Sequence, residues 1–150
     1  MKLTVIGGGG VRAPLLSAAA FRHAGQIGLD ELCLMDIDAE KLRIFGGISQ
    51  ALGRAAASPL KITTTPDARA ALDGASYVIT TIRVGGDAGR VLDERIALQH
   101  GVLGQETTGP GGFAMAMRSI PAIMEYAALL AELNPQAWMF NFTNPAGMVT

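Results

Sequence analysis

Arg90, Glu106 and Asn144 are three polar residues set among glycines or against a proline, in surroundings suited to chemistry on a bound ligand. Glu106 lies in Gly104-Gln105-Glu106-Thr107-Thr108-Gly109-Pro110-Gly111-Gly112, a stretch without an aliphatic side chain directly before an apolar run. Glycine at that density lets backbone approach a ligand closely or take positive φ. An unpaired Glu106 in its midst would serve as acid, base or charge partner. Arg90 ends the loop Arg83-Val84-Gly85-Gly86-Asp87-Ala88-Gly89-Arg90, with Asp93 and Glu94 following. Guanidinium groups so placed can fork onto phosphate or carboxylate. The same residues would also serve as exposed helical ion pairs of little energetic value. Asn144 closes Asn141-Phe142-Thr143-Asn144-Pro145. Its amide donates and accepts, which suits a sugar hydroxyl or ribose, although Asn-Pro is equally an ordinary turn starter.

A second constellation stands at the start of the chain. Gly7-Gly8-Gly9-Gly10-Val11-Arg12 follows an apolar run and precedes a helical pattern. Arg12 takes the place of the third glycine of Gly-x-Gly-x-x-Gly. The register Gly8, Gly10, Ala13 keeps the Gly-x-Gly-x-x-Ala form. Either way the glycines permit a tight turn that brings helix N-terminal N–H groups to a pyrophosphate. Asp36 ends the next apolar run, where a carboxylate can hold ribose hydroxyls. That choice favours NAD over NADP, whose 2′-phosphate would meet a negative charge. A tight turn beside an N-cap-like aspartate is the plainer reading of the same residues.

The elements that position these groups alternate along the chain. Residues 2–6 read as a buried strand. A helix begins near Arg12, with Pro14 in its first turn, and ends near Gly25. Glu31–Met35 is the second strand, and Asp38 N-caps a helix reaching about Arg54. Leu60–Thr64 is the third strand, Pro66 opens a short helix, and Ser76–Ile82 is the fourth strand. Residues 88–100 are helical. Phe113–Leu133 is a helix bent at Pro121, with Met115, Met117 and Met124 assigned to the core. Ala137–Phe142 is the fifth strand. Alternation of this kind implies an α/β fold with a doubly wound, parallel, Rossmann-type sheet.

Composition narrows the function classes. The chain has 150 residues, 49% apolar and 17% charged, which suits one domain with a buried interior rather than disorder. A net charge of −1 gives no electrostatic reason to expect nucleic acid. The N-terminal apolar run is too short for a signal peptide or membrane span. Cys33 is the only cysteine, which rules out an internal disulfide and fits a reducing, cytoplasmic setting. It is expected to be a small buried hydrophobe. His23 and His100 read as helix-end residues. The ending at Met148-Val149-Thr150, just after a strand and turn, is expected for a nucleotide-binding domain belonging to a longer protein.

Together, the glycine loop 7–10, Asp36-Ile37-Asp38, Arg90-x-x-Asp93-Glu94, the 104–112 segment, Arg118-x-Ile120-Pro121 and Asn141-Phe142-Thr143-Asn144-Pro145 resemble glycoside hydrolase family 4, and most closely its 6-phospho-β-glucosidases. The resemblance spans essentially the whole chain. It implies a dinucleotide fold akin to lactate and malate dehydrogenases, bound NAD, a divalent metal, usually manganese, and homodimers or homotetramers acting on phosphorylated disaccharides or β-glucosides. Such enzymes are exceptions among glycosidases, working by oxidation at C3, deprotonation at C2 and elimination. Residue by residue, the resemblance implies cofactor contacts for Gly7, Gly8, Gly9, Gly10, Val11, Arg12 and Asp36, and substrate contacts for Arg90 and Asn144. For Glu106 it implies a role tuning a base tyrosine. The metal-binding Cys and His, the general acid and that tyrosine are expected beyond residue 150. Tyr77 and Tyr126 lie in a strand and a helix and do not fit the base. A 2-hydroxy acid dehydrogenase of the same fold, or a non-catalytic NAD-binding module, are the alternatives.

Overall fold

The computed structural model describes residues 1–150, the whole chain. Five strands form one sheet: β1 (Lys2–Ile6), β2 (Glu31–Met35), β3 (Lys61–Thr65), β4 (Tyr77–Thr80) and β5 (Trp138–Asn141). The order is β3-β2-β1-β4-β5 and every pairing is parallel. The chain therefore winds outward from β1 in one direction and then in the other, as expected. The two directions part at the carboxyl ends of β1 and β4, which is where ligands bind in open sheets of this type.

Helices cover both faces. The helices α1 (Ala13–Ile27) and α2 (Ala39–Ala55) pack on each other and on one face. Val5, Leu32, Leu34, Leu42 and Leu60 form the core beneath them. On the other face α3 (Ala68–Leu72) and α5 (Gly109–Leu133) enclose Ile6, Cys33, Met35, Leu72, Val78 and Leu130. Side chains alternate along a strand, so neighbours such as Leu32 and Cys33 serve opposite cores. Both cores are apolar, and Cys33 is buried within one of them as expected. Helix α4 (Gly86–Gln99) lies against α5, and α6 (Ala146–Val149) is a single short turn after β5.

Several boundaries differ from the sequence reading, each for a local reason. Helix α1 continues past Gly25 to Ile27, where Gly28 takes the left-handed C-cap conformation with φ 66°. Strand β3 lies one residue later than expected, and β4 is shorter. Helix α4 starts at Gly86 rather than Ala88, behind an N-cap Gly85 with φ 86°. Helix α5 starts at Gly109 rather than Phe113, so the last four residues of the glycine-rich segment form its first turn, with Pro110 at its second position, where the missing N–H costs no intrahelical bond. The same helix runs through Pro121. Met115 is buried, but Met117 and Met124 are 60% and 63% exposed. Residues 115 and 117 are two apart, about 200° around a helix, and cannot share a buried face.

Candidate active site

The glycine loop sits on the end of β2. The N–H groups of Gly7 and Gly8 both donate to the Met35 carbonyl, at 2.9 and 2.8 Å. Gly7 has φ 97°, and a Cβ there would collide with the Thr81 carbonyl, so no other residue fits. A Cβ on Gly8 would stand 2.7 Å from that of Leu34. The loop is thus wedged between the ends of β2 and β4. Gly9 turns its N–H onto Asp36 Oδ2 at 2.9 Å, and Asp36 Oδ1 accepts from Asp38 N–H at 3.0 Å. Each carboxylate oxygen keeps a further lone pair. Asp36 is therefore a brace for the loop as well as a candidate ribose ligand.

Helix α1 begins without a side-chain cap: Arg12 occupies the N-cap position and bonds nothing there, and no acidic residue lies in the first turn. The N–H groups of Val11 and Arg12 have no acceptor in the protein. Uncapped amides at a helix N-terminus suit an anion such as pyrophosphate. The loop backbone and Asp36 thus fit a dinucleotide by their donors, acceptors and close packing. Exposed Val11 and Ile37 flank the same edge; Ile37 entered the sequence reading only within the Asp36-Ile37-Asp38 motif, since a solvent-exposed isoleucine cannot be told from a core one there.

Glu106 is not the unpaired carboxylate that the sequence suggested. Its Oε2 accepts from Arg83 Nη1 at 2.6 Å and lies 3.5 Å from Arg90 Nε. The hydrogen bond from Arg83, reinforced by the charges of Arg83, Arg90 and Arg12, holds its carboxyl below the usual range despite an opposing effect of partial burial. Arg90 also donates from Nε to Glu94 Oε1 at 2.8 Å, and that bond, with the charges of Glu94 and Glu106, strengthens its hold on its proton. Arg83 was seen in the sequence only as part of a loop. Its partner lies on a segment far along the chain, which spacing does not reveal.

The glycines around Glu106 serve the loop itself. A Cβ on Gly104 would stand 2.5 Å from the Glu94 carbonyl oxygen, and one on Gly112 would stand 2.5 Å from the Thr107 carbonyl carbon. A Cβ on Gly111 would collide with the Gln105 carbonyl. The Gln105 side-chain oxygen accepts from Thr108 N–H at 2.9 Å and from Thr107 N–H and Oγ1, closing the turn. The loop folds back on α4 and on the start of α5, backbone against backbone.

The two asparagines at and beyond the end of β5 differ in use. Asn141 Oδ1 accepts from Thr80 Oγ1 and from Thr143 N–H, both at 2.9 Å, and its amide donates to Thr143 O and Thr150 Oγ1. Buried Thr143 in turn accepts from Ile82 N–H at 3.1 Å. These bonds pin the exits of β4 and β5 together. Asn144 is exposed and its side chain bonds nothing, so its amide is free to meet a ligand. The structure therefore joins Arg83, Arg90 and Glu106 in direct contact. Asn144 stands at the adjoining strand exit, and Asp36 with the glycine loop forms a second cluster. No group of three or more His, Cys, Asp or Glu side chains is arranged to hold a metal.

Comparison with known proteins agrees with this geometry. The profile described as "Family 4 glycosyl hydrolase" matches residues 2–150. The chain is 45% identical to a probable 6-phospho-beta-glucosidase of Bacillus subtilis (strain 168), covering 100% of this chain and 34% of that protein. It superposes on the 6-phospho-beta glucosidase from Thermotoga maritima, solved with manganese, NAD+ and glucose-6-phosphate, with a TM-score of 0.91 at 37% identity, over 98% of this chain and 35% of that one. A 6-phospho-alpha-glucosidase from gut microorganisms, in complex with NAD and Mn2+, gives a TM-score of 0.93 at 31% identity, over 99% of this chain and 34% of that one. The chain spans about a third of the length of the curated relatives it matches. With a matching profile across nearly its full length, the chain belongs to the family 4 glycosyl hydrolases.

Proposed function

We propose that the whole protein is an NAD- and divalent-metal-dependent 6-phospho-β-glucosidase, to which residues 1–150 contribute the cofactor cradle and part of the sugar-phosphate site. The observation that carries this reading is an uncapped helix N-terminus with Asp36 at one strand exit and, on the same carboxyl edge of the sheet, Arg83 and Arg90 meeting on Glu106. Arg83 and Arg90 offer guanidinium groups to a phosphorylated ligand, and in the free protein they are held by Glu106, Glu94 and Asp87. Identity is higher to the β-glucosidase of B. subtilis, at 45%, than to the α-glucosidase structure, at 31%, which favours the β linkage.

NAD supplies reversible hydride exchange at C3 of the sugar, and the metal, Mn²⁺ by analogy with the relatives, polarises the oxygen there. The net reaction is a hydrolysis: the C2 proton leaves, the glycosidic oxygen departs, water adds, and the cofactor ends as it began. Residues of this chain bind and orient. The glycine loop and the free N–H groups of Val11 and Arg12 hold pyrophosphate, Asp36 holds ribose, and Arg90 and Asn144 hold the substrate. Glu106 keeps its charge at neutral pH. The two arginines on Glu106 neutralise its field, so its effect on a tyrosine supplied from beyond residue 150 is weaker than that of a bare carboxylate. Holding Arg83 and Arg90 is its better supported part.

The test uses the whole protein. Cleavage of p-nitrophenyl β-glucoside 6-phosphate is expected only with NAD and Mn²⁺ supplied, and Asp36→Ala is expected to weaken NAD binding measured by calorimetry. Cleavage that persists after both are removed would overturn the reading. Cofactor binding without any turnover would instead support a non-catalytic module. Buried, unpaired Cys33 agrees with a cytoplasmic setting, and light scattering of the whole protein is expected to give a homodimer or homotetramer.

A further inference from the structure

Arg90 and Asp93 stand three residues apart on α4 and so are neighbours around the helix, but Arg90 meets Glu94 and Glu106 while Asp93 meets α5. Asp93 is only 6% exposed. Arg118, on α5, forks onto both of its oxygens, Nη1 to Oδ1 at 3.0 Å and Nη2 to Oδ2 at 2.5 Å. Arg118 Nε also donates to the Val84 carbonyl at 3.3 Å. The guanidinium lies in a slot floored by glycine: a Cβ on Gly85 would stand 3.1 Å from Arg118 Nε, and one on Gly89 would stand 3.3 Å from Nη2. One side chain thereby holds the strand exit at Val84, the first turn of α4, and its second turn at Asp93. Arg83 adjoins the first of these anchors and Arg90 lies between the other two. Glu106, which both arginines contact, sits in the loop leading into the helix that carries Arg118.

We propose that Arg118, acting through Asp93 and Val84, is the positioning residue that sets Arg90 and Arg83 for an anionic sugar ligand. The inference rests on the reading of Arg90 as a substrate contact. A planar fork with a third donor fixes the loop and helix in one arrangement, which the point charge of a lysine cannot reproduce. A buried carboxylate that loses its partner has no solvent to turn to, so the segment must move when Arg118 is changed.

Glucose 6-phosphate is the probe, with binding to the whole protein measured by calorimetry in the presence of NAD and Mn²⁺. Arg118→Lys is expected to weaken that binding about tenfold, since even about 1 Å of misplacement in a positioning group is costly. Asp93→Asn, which keeps shape and removes charge, is expected to act in the same direction. NAD affinity of both variants is expected to stay within about twofold of wild type, because the loop at 7–10 is braced separately by Asp36. In an Arg90→Ala background, Arg118→Lys is expected to cause a smaller further loss than in wild type, the part that remains acting through Arg83, as expected of residues that act through one another. Additive losses, or a parallel drop in NAD affinity and melting temperature, would show general destabilisation and overturn the proposal. Unchanged glucose 6-phosphate binding in Arg118→Lys, with a binding-competent wild type, would overturn the positioning role alone. A wild type that binds no glucose 6-phosphate would overturn the functional reading and this one with it.

Discussion

Glu106 shows how far a carboxylate's role depends on what faces it. With Arg83 and Arg90 on one oxygen, its folded-state pKa lies below the ordinary value of 4.5, chiefly because of the hydrogen bond from Arg83. A depressed folded value means that the charged form favours the folded state. The stabilisation is fully present above the unfolded carboxyl's 4.5 and is lost as pH falls through the lower folded value. Glu106→Gln is therefore expected to reduce stability by about 1 kcal/mol at neutral pH, the scale of a partly exposed ion pair. Thermal melts across pH should show the gap between wild type and variant closing in acid. A gap that does not narrow below pH 4.5 would mean that the charge of Glu106 contributes nothing. At this scale the residue types were legible in the sequence: Asp36 and Asn144 stand just past the ends of β2 and β5, whereas Arg90 lies inside α4. Their partners were not legible. Arg83 meets Glu106, and Arg118 meets Asp93, across sequence distances that carry no periodic signal. Asp36 was read as a ligand residue, and its bond to Gly9 is a tertiary fact.

The elements themselves followed from the sequence wherever one local rule acted alone. Strands β1 and β2 stand where apolar, β-branched or aliphatic runs placed them, and Asp38 caps α2 by accepting from Lys41 N–H at 3.0 Å. Where two rules competed, tertiary packing decided. Glycine argues against helix by propensity, yet Gly111 and Gly112 stand in the first turn of α5 because the backbone of Gln105 and Thr107 lies directly on them, while Gly109 before them takes φ 62°. This makes the glycines of one motif unequal to others elsewhere. Gly111→Ala is expected to cost about 2 kcal/mol or more, since the added methyl would meet backbone that cannot turn aside. Gly25→Ala in α1 and Gly47→Ala in α2, where no atom lies within 4 Å of the new Cβ, are expected to gain up to about 1 kcal/mol. Chemical denaturation of the three variants separates the cases. Equal destabilisation by all three would remove the packing account of the 104–112 loop.

Across the whole molecule, apolar surface is distributed unevenly. Trp138 and Phe142 are each 67% exposed on or beside β5, an edge strand of the sheet. Patches of this kind and unpaired strand edges ordinarily meet another surface. Because Trp138 is the only tryptophan, its fluorescence reports that edge alone. Residues 1–150 expressed by themselves are expected to show red-shifted emission readily quenched by acrylamide. A protein of the relatives' full length is expected to show a blue shift and protection. Equal quenching in both would mean that the edge stays open. The slot that receives Arg118 carries a different consequence, one for ancestry. Gly85, Gly89, Asp93 and Arg118 form a lock in which no single tumbler can be changed without obstructing or emptying the others. Across descendants of a common ancestor, these four positions are expected to mutate in concert or remain still.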